Sequence, residues 1–396
     1  MLIGIDGNEA NIKNRVGSNV YAFELLWNIY RIQRKSEKKI RFKIYLKKEP
    51  LGDLPKKGDW WQYKTLKPSA LFTQLRLPLQ LYLEKKKPDV FFTPGHYAPR
   101  VSPVPTVISI MDLAFLRFPG QFRRKDLYQL INWTKYSVNN ASHIFTISEF
   151  SKKEIIYFYN YPKEKITVTY PGTNNSELQN PKSPPAEAML QALRAGKLII
   201  NNLKSKYKLQ GGYFLYIGTL QPRKNLITLI EAFKKINSSQ NSELSKLKLV
   251  IVGKKGWMYE EIFGKVKQLG LEDKVIFTGF VSEEEKTALL KNAIAYVLPS
   301  LYEGFGIPVI EAMQAGCPVV ISRNSSLPEV GGEAAEYIQN PQKADSIQKS
   351  MQKMVKLAPE EKNKLIKKGY SQAQKFSWER CAEKTLEILL KLTASK

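Results

Sequence analysis

Leu298-Pro-Ser-Leu-Tyr-Glu-Gly-Phe-Gly-Ile-Pro-Val-Ile-Glu-Ala-Met313 is the stretch whose reading decides the fold. The apolar run Ala293 to Leu298 leads into it and predicts a buried parallel strand. Gly304 and Gly306 then turn the chain, and Pro308 suits the first position of a new helix, where its missing N–H is no loss. Strand, glycine turn and helix leave the backbone N–H groups of Phe305, Gly306 and Ile307 at a helix start. Amides at the positive end of a helix dipole form an anion site, most naturally for phosphate. Glu303 on the turn and Glu311 near the end of the first helical turn frame it. A carboxylate beside a phosphate is electrostatically unfavourable unless it has another use. Accepting hydrogen bonds from sugar hydroxyls next to that phosphate is such a use.

Two glutamates at one spacing are weak evidence; the string Glu303-Gly-Phe-Gly-Ile-Pro-Val-Ile-Glu311 is strong, because each intervening residue has a backbone task. It resembles the signature of the large retaining family 4 glycosyltransferases of the GT-B class, which include bacterial mannosyltransferases and glucosyltransferases. The resemblance implies an α/β fold of two Rossmann-like, doubly wound parallel-sheet domains facing across a cleft. It implies a nucleotide-diphosphate sugar as donor, retention of anomeric configuration, no metal and no cofactor beyond the donor. By the same resemblance, Glu311 holds ribose hydroxyls, Glu303 those of the transferred sugar, and the amides at Phe305, Gly306 and Ile307 the diphosphate.

Outward from the stretch, the same rhythm precedes it. Gly212-Tyr-Phe-Leu-Tyr-Ile-Gly218 predicts a buried strand, Thr219-Leu-Gln-Pro-Arg-Lys-Asn225 a loop, and Leu226–Ile236 a helix. Arg223 and Lys224 stand at the rim of that loop. A leaving nucleoside diphosphate gains negative charge, and fixed cations lower that barrier; the family places an arginine and a lysine here. Leu247–Gly253, Lys274–Thr278 and Pro318–Ser322 are further predicted strands, and the alternation with helices gives a parallel sheet. In the family the backbone near Gly279, Phe280 and Val281 receives the nucleotide base, and Ser325-Ser-Leu-Pro-Glu-Val330 is structural.

The first half starts with a strand, Leu2–Asp6, then a loop containing Gly17 and an amphipathic helix, Tyr21–Ile32. A loop ending in glycine at the carboxyl edge of a parallel sheet admits a ligand, or is a plain connection. The family's matching loop, with Gly17, faces the acceptor and the donor diphosphate. Arg41–Lys47, Asp89–Thr93, Thr106–Ile110, Ser142–Ser148 and Lys165–Tyr170 are predicted strands. His96, a lone loop histidine, reads as structural or solvated more readily than catalytic. After Ile110 the family commonly carries His-Asp-Leu; this chain has Met111-Asp-Leu. The change removes a hydrogen-bond donor, while Asp112 is kept to meet an acceptor hydroxyl. Pro171-Gly172 resembles the inter-domain hinge. The expected division is residues 1–172 with a crossover helix at 377–396, a linker and surface helix at 173–206, and a donor-binding domain at 207–376.

The totals bound the rest. At 396 residues two domains are the prior, and 43% hydrophobic content supplies a core for each. No apolar run is long enough to span a membrane, and Met1-Leu-Ile-Gly-Ile-Asp6 enters a strand at once, so the expectation is a cytoplasmic protein without a signal peptide. Cys317 and Cys381 are far apart, and no Cys/His cluster has metal-ligand spacing. The net charge of +26 admits nucleic acid, an anionic membrane surface or a lysine-rich composition. No nucleic-acid recognition string is present. Trp60-Trp61, the Leu71–Lys87 stretch and Phe122-Arg-Arg-Lys125 with Tyr128 and Trp133 are candidate membrane contacts, although Ala70–Lys87 reads more readily as a core-facing helix. The acceptor is then a saccharide or lipid-linked saccharide, with the protein peripheral on the inner face of the membrane. A same-fold epimerase, a phosphorylase and a non-catalytic basic surface binder are the alternative readings.

Overall fold

A computed structural model describes residues 1–37, 40–173, 186–209, 211–238 and 242–394. The chain divides into two compact units, Met1–Gly172 with Phe376–Lys396, and Thr173–Lys375. The expected linker falls on 173–206, of which 174–185 lie outside the described residues; the helix after it, Ala186–Lys206, is present. Among the described residues no helix is long and apolar enough to cross a membrane.

The first unit holds seven parallel strands: β1 (Leu2–Asp6), β2 (Arg41–Leu46), β3 (Trp61–Thr65), β4 (Val90–Thr93), β5 (Thr106–Ile110), β6 (His143–Thr146) and β7 (Ile166–Val168). Their spatial order is β3-β2-β1-β4-β5-β6-β7. The central strands are buried throughout, which suits continuous apolar runs covered by helices on both faces. Helix α1 (Ser18–Lys35) covers one face and packs against α9 (Trp378–Ala394), the last helix of the chain. That helix buries Trp378, Cys381, Ala382, Thr385, Leu386 and Leu389, a stripe at helical spacing. Trp378 meets Tyr21 edge-on at 5.8 Å.

The structure separates the pair Trp60-Trp61: Trp61 is buried and offers no surface contact, while Trp60 is partly exposed. Trp61 opens β3 and is fully buried against Tyr30 and Phe42; Trp60 stacks on Tyr30 at 4.9 Å. The Leu71–Lys87 stretch is a π-helical turn, Phe72–Arg76, running into α2 (Leu77–Leu83). One face buries Phe72, Leu77 and Leu81, and the other leaves Leu71, Leu75, Leu79, Tyr82 and Leu83 at least half exposed.

The second unit holds six parallel strands: β8 (Tyr213–Ile217), β9 (Lys248–Val252), β10 (Val275–Gly279), β11 (Ala295–Leu298), β12 (Val319–Ser322) and β13 (Ala335–Ile338), in the order β10-β9-β8-β11-β12-β13. Each sheet grows outward from a central pair, β1 with β4 and β8 with β11. At such a pair the connections leave in opposite directions, and the carboxyl ends border a crevice.

His143 gives a test of the first unit. It is buried on β6, shares a 2.8 Å hydrogen bond with Thr167 Oγ1, and has its pKa pushed down to about 4, chiefly by burial and then by Lys152 and Lys165. Above the ordinary value of 6.5 neither state binds this proton; between 6.5 and about 4 the unfolded chain binds it and the folded chain does not. Stability is therefore expected to fall as pH drops through that window, by on the order of 2 kcal/mol. Urea unfolding at several pH values checks this, and His143→Gln should flatten the slope.

Candidate active site

The loops after β8 and β11 meet at the switch point of the second sheet. After β8, Pro222–Lys224 form one tight 3-10 turn and Asn225 turns the chain in the left-handed region, at φ 61, into α6 (Leu226–Asn237). Asn225 tolerates that conformation better than most residues and uses its side chain. Its amide Nδ2 donates to the carbonyls of Pro299 at 3.0 Å and Pro341 at 2.6 Å. The Leu301 N–H donates to the Arg223 carbonyl at 2.8 Å, so the two loops are sewn together by backbone as well. The neighbouring β9 loop braces them: a Cβ on Gly253, which sits at φ 145, would lie 2.0 Å from the Gly218 carbonyl. Only glycine admits that approach.

Glu303 is 6% exposed. Lys224 Nζ donates to its Oε1 at 2.5 Å, and Ser300 Oγ donates to the same oxygen at 2.7 Å. The Arg223 guanidinium stands 3.9 Å from Oε2 and donates to the Tyr302 carbonyl at 3.4 Å. A buried carboxylate requires such partners, since removing one cation leaves an uncompensated charge. Residues 79 apart in sequence thus form one cluster. Behind it, the Glu303 N–H donates to Ser325 Oγ at 3.0 Å. Ser326 Oγ shares its proton between the carbonyls of Glu303 at 2.9 Å and Phe305 at 2.8 Å.

The turn ends at Gly306, φ 117, which starts α8 (Ile307–Gln314) without a side-chain cap. Pro308 is the second helical residue rather than the first. Phe305 is buried and anchors the turn. Glu311 projects from α8, and its Oε1 accepts from Lys286 Nζ at 2.9 Å; Lys286, on α7 (Glu283–Asn292), also stands 2.8 Å from Glu283. Burial pulls the Lys286 pKa down, but Glu311 and Glu283 outweigh it and the net shift is upward. A carboxylate can accept about four hydrogen bonds, so Lys286 fixes Glu311 without saturating it. Lys286→Met is expected to weaken nucleoside diphosphate binding about tenfold, with turnover at saturating donor little changed. Titration calorimetry beside steady-state kinetics checks this split.

The remaining candidates stand apart from this cluster. Phe280 follows β10 at the sheet edge and is 80% exposed, while Val281 beside it is buried. In the first unit, Gly17 precedes α1 at φ 55, and a Cβ there would meet nothing within 4 Å. Asp112 Oδ1 accepts from the Ala114 N–H, two residues on, at 3.0 Å. Met111 is buried. Sequence reasoning passed over Asn225, Ser300 and Lys286. An asparagine just before a helical apolar run was a legible signal for the first; the other two carried none. No group of three or more His, Cys, Asp or Glu among the described residues could hold a metal ion.

Two doubly wound parallel units, one with cations and a buried carboxylate at its switch point, are the architecture of the GT-B glycosyltransferases. Residues 201–372 match the profile described as Glycosyl transferases group 1, and residues 49–177 match Glycosyltransferase Family 4. The chain is 31% identical over 308 residues to O-antigen chain mannosyltransferase B of Escherichia coli, covering 77% of this chain and 74% of that protein. It is 30% identical over 250 residues to O-antigen chain mannosyltransferase RfbU of Salmonella typhimurium, covering 63% of this chain and 61% of that one, less than two thirds of its length. Sucrose-phosphate synthase from Thermosynechococcus elongatus has the same fold, with a TM-score of 0.72 over 100% of both chains at 18% identity. The chain belongs to the family 4, group 1 glycosyltransferases.

Proposed function

We propose that this glycosyltransferase moves a hexose, mannose in the first instance, from a nucleotide-diphosphate sugar to a hydroxyl of a saccharide or lipid-linked saccharide. The donor is GDP-mannose or a UDP-sugar, and transfer retains the anomeric configuration without a metal. The observation that carries the reading is the buried Lys224–Glu303 pair with Arg223 beside it. An arriving diphosphate competes for Lys224 and Arg223, and the amides of Phe305, Gly306 and Ile307 add donors. Drawing the cations onto phosphate releases Glu303 to accept hydrogen bonds from the transferred sugar. Glu311, steadied by Lys286, takes the ribose hydroxyls, the backbone at Phe280 and Val281 receives the base, and Gly17 and Asp112 serve the acceptor side. In the transition state charge grows on the leaving phosphate, where fixed cations stabilise it most. For retention, the leaving phosphate steers the incoming hydroxyl to the face it vacates. Mannose and O-antigen synthesis are favoured by the relatives named above, both called O-antigen chain mannosyltransferases. Incubation with radiolabelled GDP-mannose, UDP-glucose and UDP-galactose and a membrane extract tests the reading. Label appearing in a saccharide or lipid-linked product supports it; no transfer and no donor cleavage with any of the three overturns it.

The membrane surface belongs to the same proposal, now carried by α2 rather than by the tryptophans. Leu71, Leu75, Leu79 and Leu83 recur every four residues, all exposed, along the π-helical turn and α2, and the exposed Lys85, Lys86 and Lys87 follow. Apolar side chains flanked by cations suit an anionic bilayer, each cation adding about 1 kcal/mol. The wild type is expected to pellet with anionic vesicles at low salt and much less with neutral ones. Replacing both Leu75 and Leu79 by Asp should abolish pelleting, and equal recovery of that variant would refute the surface.

A further inference from the structure

The Glu303 carboxylate is held by partners of two kinds. Lys224 Nζ and Ser300 Oγ both donate to Oε1, at 2.5 and 2.7 Å, and the Arg223 guanidinium stands 3.9 Å from Oε2. The two cations end long side chains that rotate about several bonds, so an arriving phosphate can draw them away. Ser300 cannot follow. It is 0% exposed, its side chain is short, and the backbone that bears it is fixed on both sides. The Pro299 carbonyl before it accepts from Asn225 Nδ2 at 3.0 Å, and the Leu301 N–H after it donates to the Arg223 carbonyl at 2.8 Å. Its own carbonyl accepts from Asn324 Nδ2 at 3.3 Å. The same asparagine accepts through Oδ1 from Ser325 Oγ at 3.2 Å, and Ser325 Oγ accepts the Glu303 N–H at 3.0 Å. Asn324 thus ties the backbone of Ser300 to the backbone of Glu303. Among the described residues the Ser300 hydroxyl has Glu303 Oε1 as its one acceptor.

A buried carboxylate that loses its cations needs another donor to hold it, or it turns after them. We infer that Ser300 is the positioning residue for Glu303: its hydroxyl keeps Oε1 in place while Lys224 and Arg223 move onto the diphosphate, which leaves Oε2 to the hydroxyls of the transferred sugar. This rests on the donor reading above, in which the cations change partners, and adds the group that stays behind. In the empty protein Ser300 is a redundant partner, because Lys224 holds the same oxygen. Once the donor is bound, it is the side chain left on that oxygen. Its loss is therefore felt in turnover. Folding and the binding of a bare nucleoside diphosphate, which presents no sugar to Glu303, are little affected.

Steady-state kinetics on Ser300→Ala test this, with whichever of GDP-mannose, UDP-glucose and UDP-galactose the wild type uses. kcat is expected to fall about tenfold, the effect of one hydrogen bond to a charged group. The donor KM and the affinity for that donor's nucleoside diphosphate should stay within about twofold of wild type. In a Glu303→Ala background the same substitution is expected to cost less than about twofold more, since a residue that acts through Glu303 then has nothing to position. A merely structural role would weaken diphosphate binding as well, or take a further tenfold or so from the double variant, and either result overturns the inference. Turnover of Ser300→Ala within about twofold of wild type also overturns it. Diphosphate binding reports that the variant is folded. If Ser300→Ala does not fold, Ser300→Cys, which fills the space with a weaker donor, replaces it, with a loss of about threefold or more expected and the same overturning results. A wild type that cleaves none of the three donors removes the glycosyltransferase reading and this role with it. Donor turnover indifferent to Ser300 removes the role alone.

Discussion

Alanine in place of Lys224 is expected to lower kcat about 10²-fold or more and to weaken donor binding as well. Two consequences of one contact combine here. Lys224 is the cation closest to the Glu303 carboxylate, at 2.5 Å, and its side chain is only 14% exposed. It therefore sits in a low-dielectric site where a charge acts more strongly on a developing phosphate than it would in water. Losing it also leaves Glu303 with Ser300 and a guanidinium 3.9 Å away, so the empty protein is destabilised. The catalytic loss is separable from the folding loss because Lys224→Arg keeps the charge. That variant should hold the melting temperature near wild type while still losing turnover, since a planar guanidinium does not reproduce the short ammonium contact. Turnover of Lys224→Ala within about twofold of wild type would exclude a role for it on the leaving group.

The two glutamates are expected to fail differently. Glu311→Ala should weaken binding of the bare nucleoside diphosphate by about tenfold or more, because ribose hydroxyls lose their acceptor. Glu303→Ala should leave that affinity within a fewfold and lower kcat about 10²-fold, because the partner proposed for it is the sugar that a bare diphosphate lacks. The geometry supports the split. Glu303 is held by Lys224 and Ser300 on the turn, whereas Glu311 is held by Lys286 from a different helix. Truncating Glu303 also frees Lys224 from its ion pair, which favours phosphate binding and offsets any loss. Calorimetry with GDP on both variants decides it: equal losses of affinity would refute the separate assignments.

Central strands were legible because they are buried on both faces and read as unbroken apolar runs, as in Tyr213–Ile217 and Ala295–Leu298. The two unanticipated strands, β3 and β13, are both sheet edges. Their sequences, Trp-Gln-Tyr-Lys-Thr and Ala-Glu-Tyr-Ile, mix polar and apolar residues because one side of each is open to water. The β7 strand proved shorter than the run that suggested it, Ile166–Val168 against Lys165–Tyr170. Around the candidate site, residue types could be read locally: cations in one loop, carboxylates in another, glycines at the turn. Their direct pairing could not, since Lys224 and Glu303 are 79 positions apart and meet only because β8 and β11 lie side by side. Lys286 was invisible for the same reason, as nothing in its own helix marks it as the partner of Glu311. The tryptophans at 60 and 61 part company, one partly exposed and one buried, because a sequence shows an aromatic pair but not which face of the sheet receives each ring.

A crystal structure of the protein grown with GDP tests the central claim most directly. The account predicts the diphosphate on the amides of Phe305, Gly306 and Ile307, with Lys224 and Arg223 turned onto its oxygens and the Lys224–Glu303 contact lengthened. The ribose hydroxyls should lie against Glu311, still held by Lys286. A diphosphate bound away from these loops, or one bound while Lys224 stays on Glu303, would contradict it.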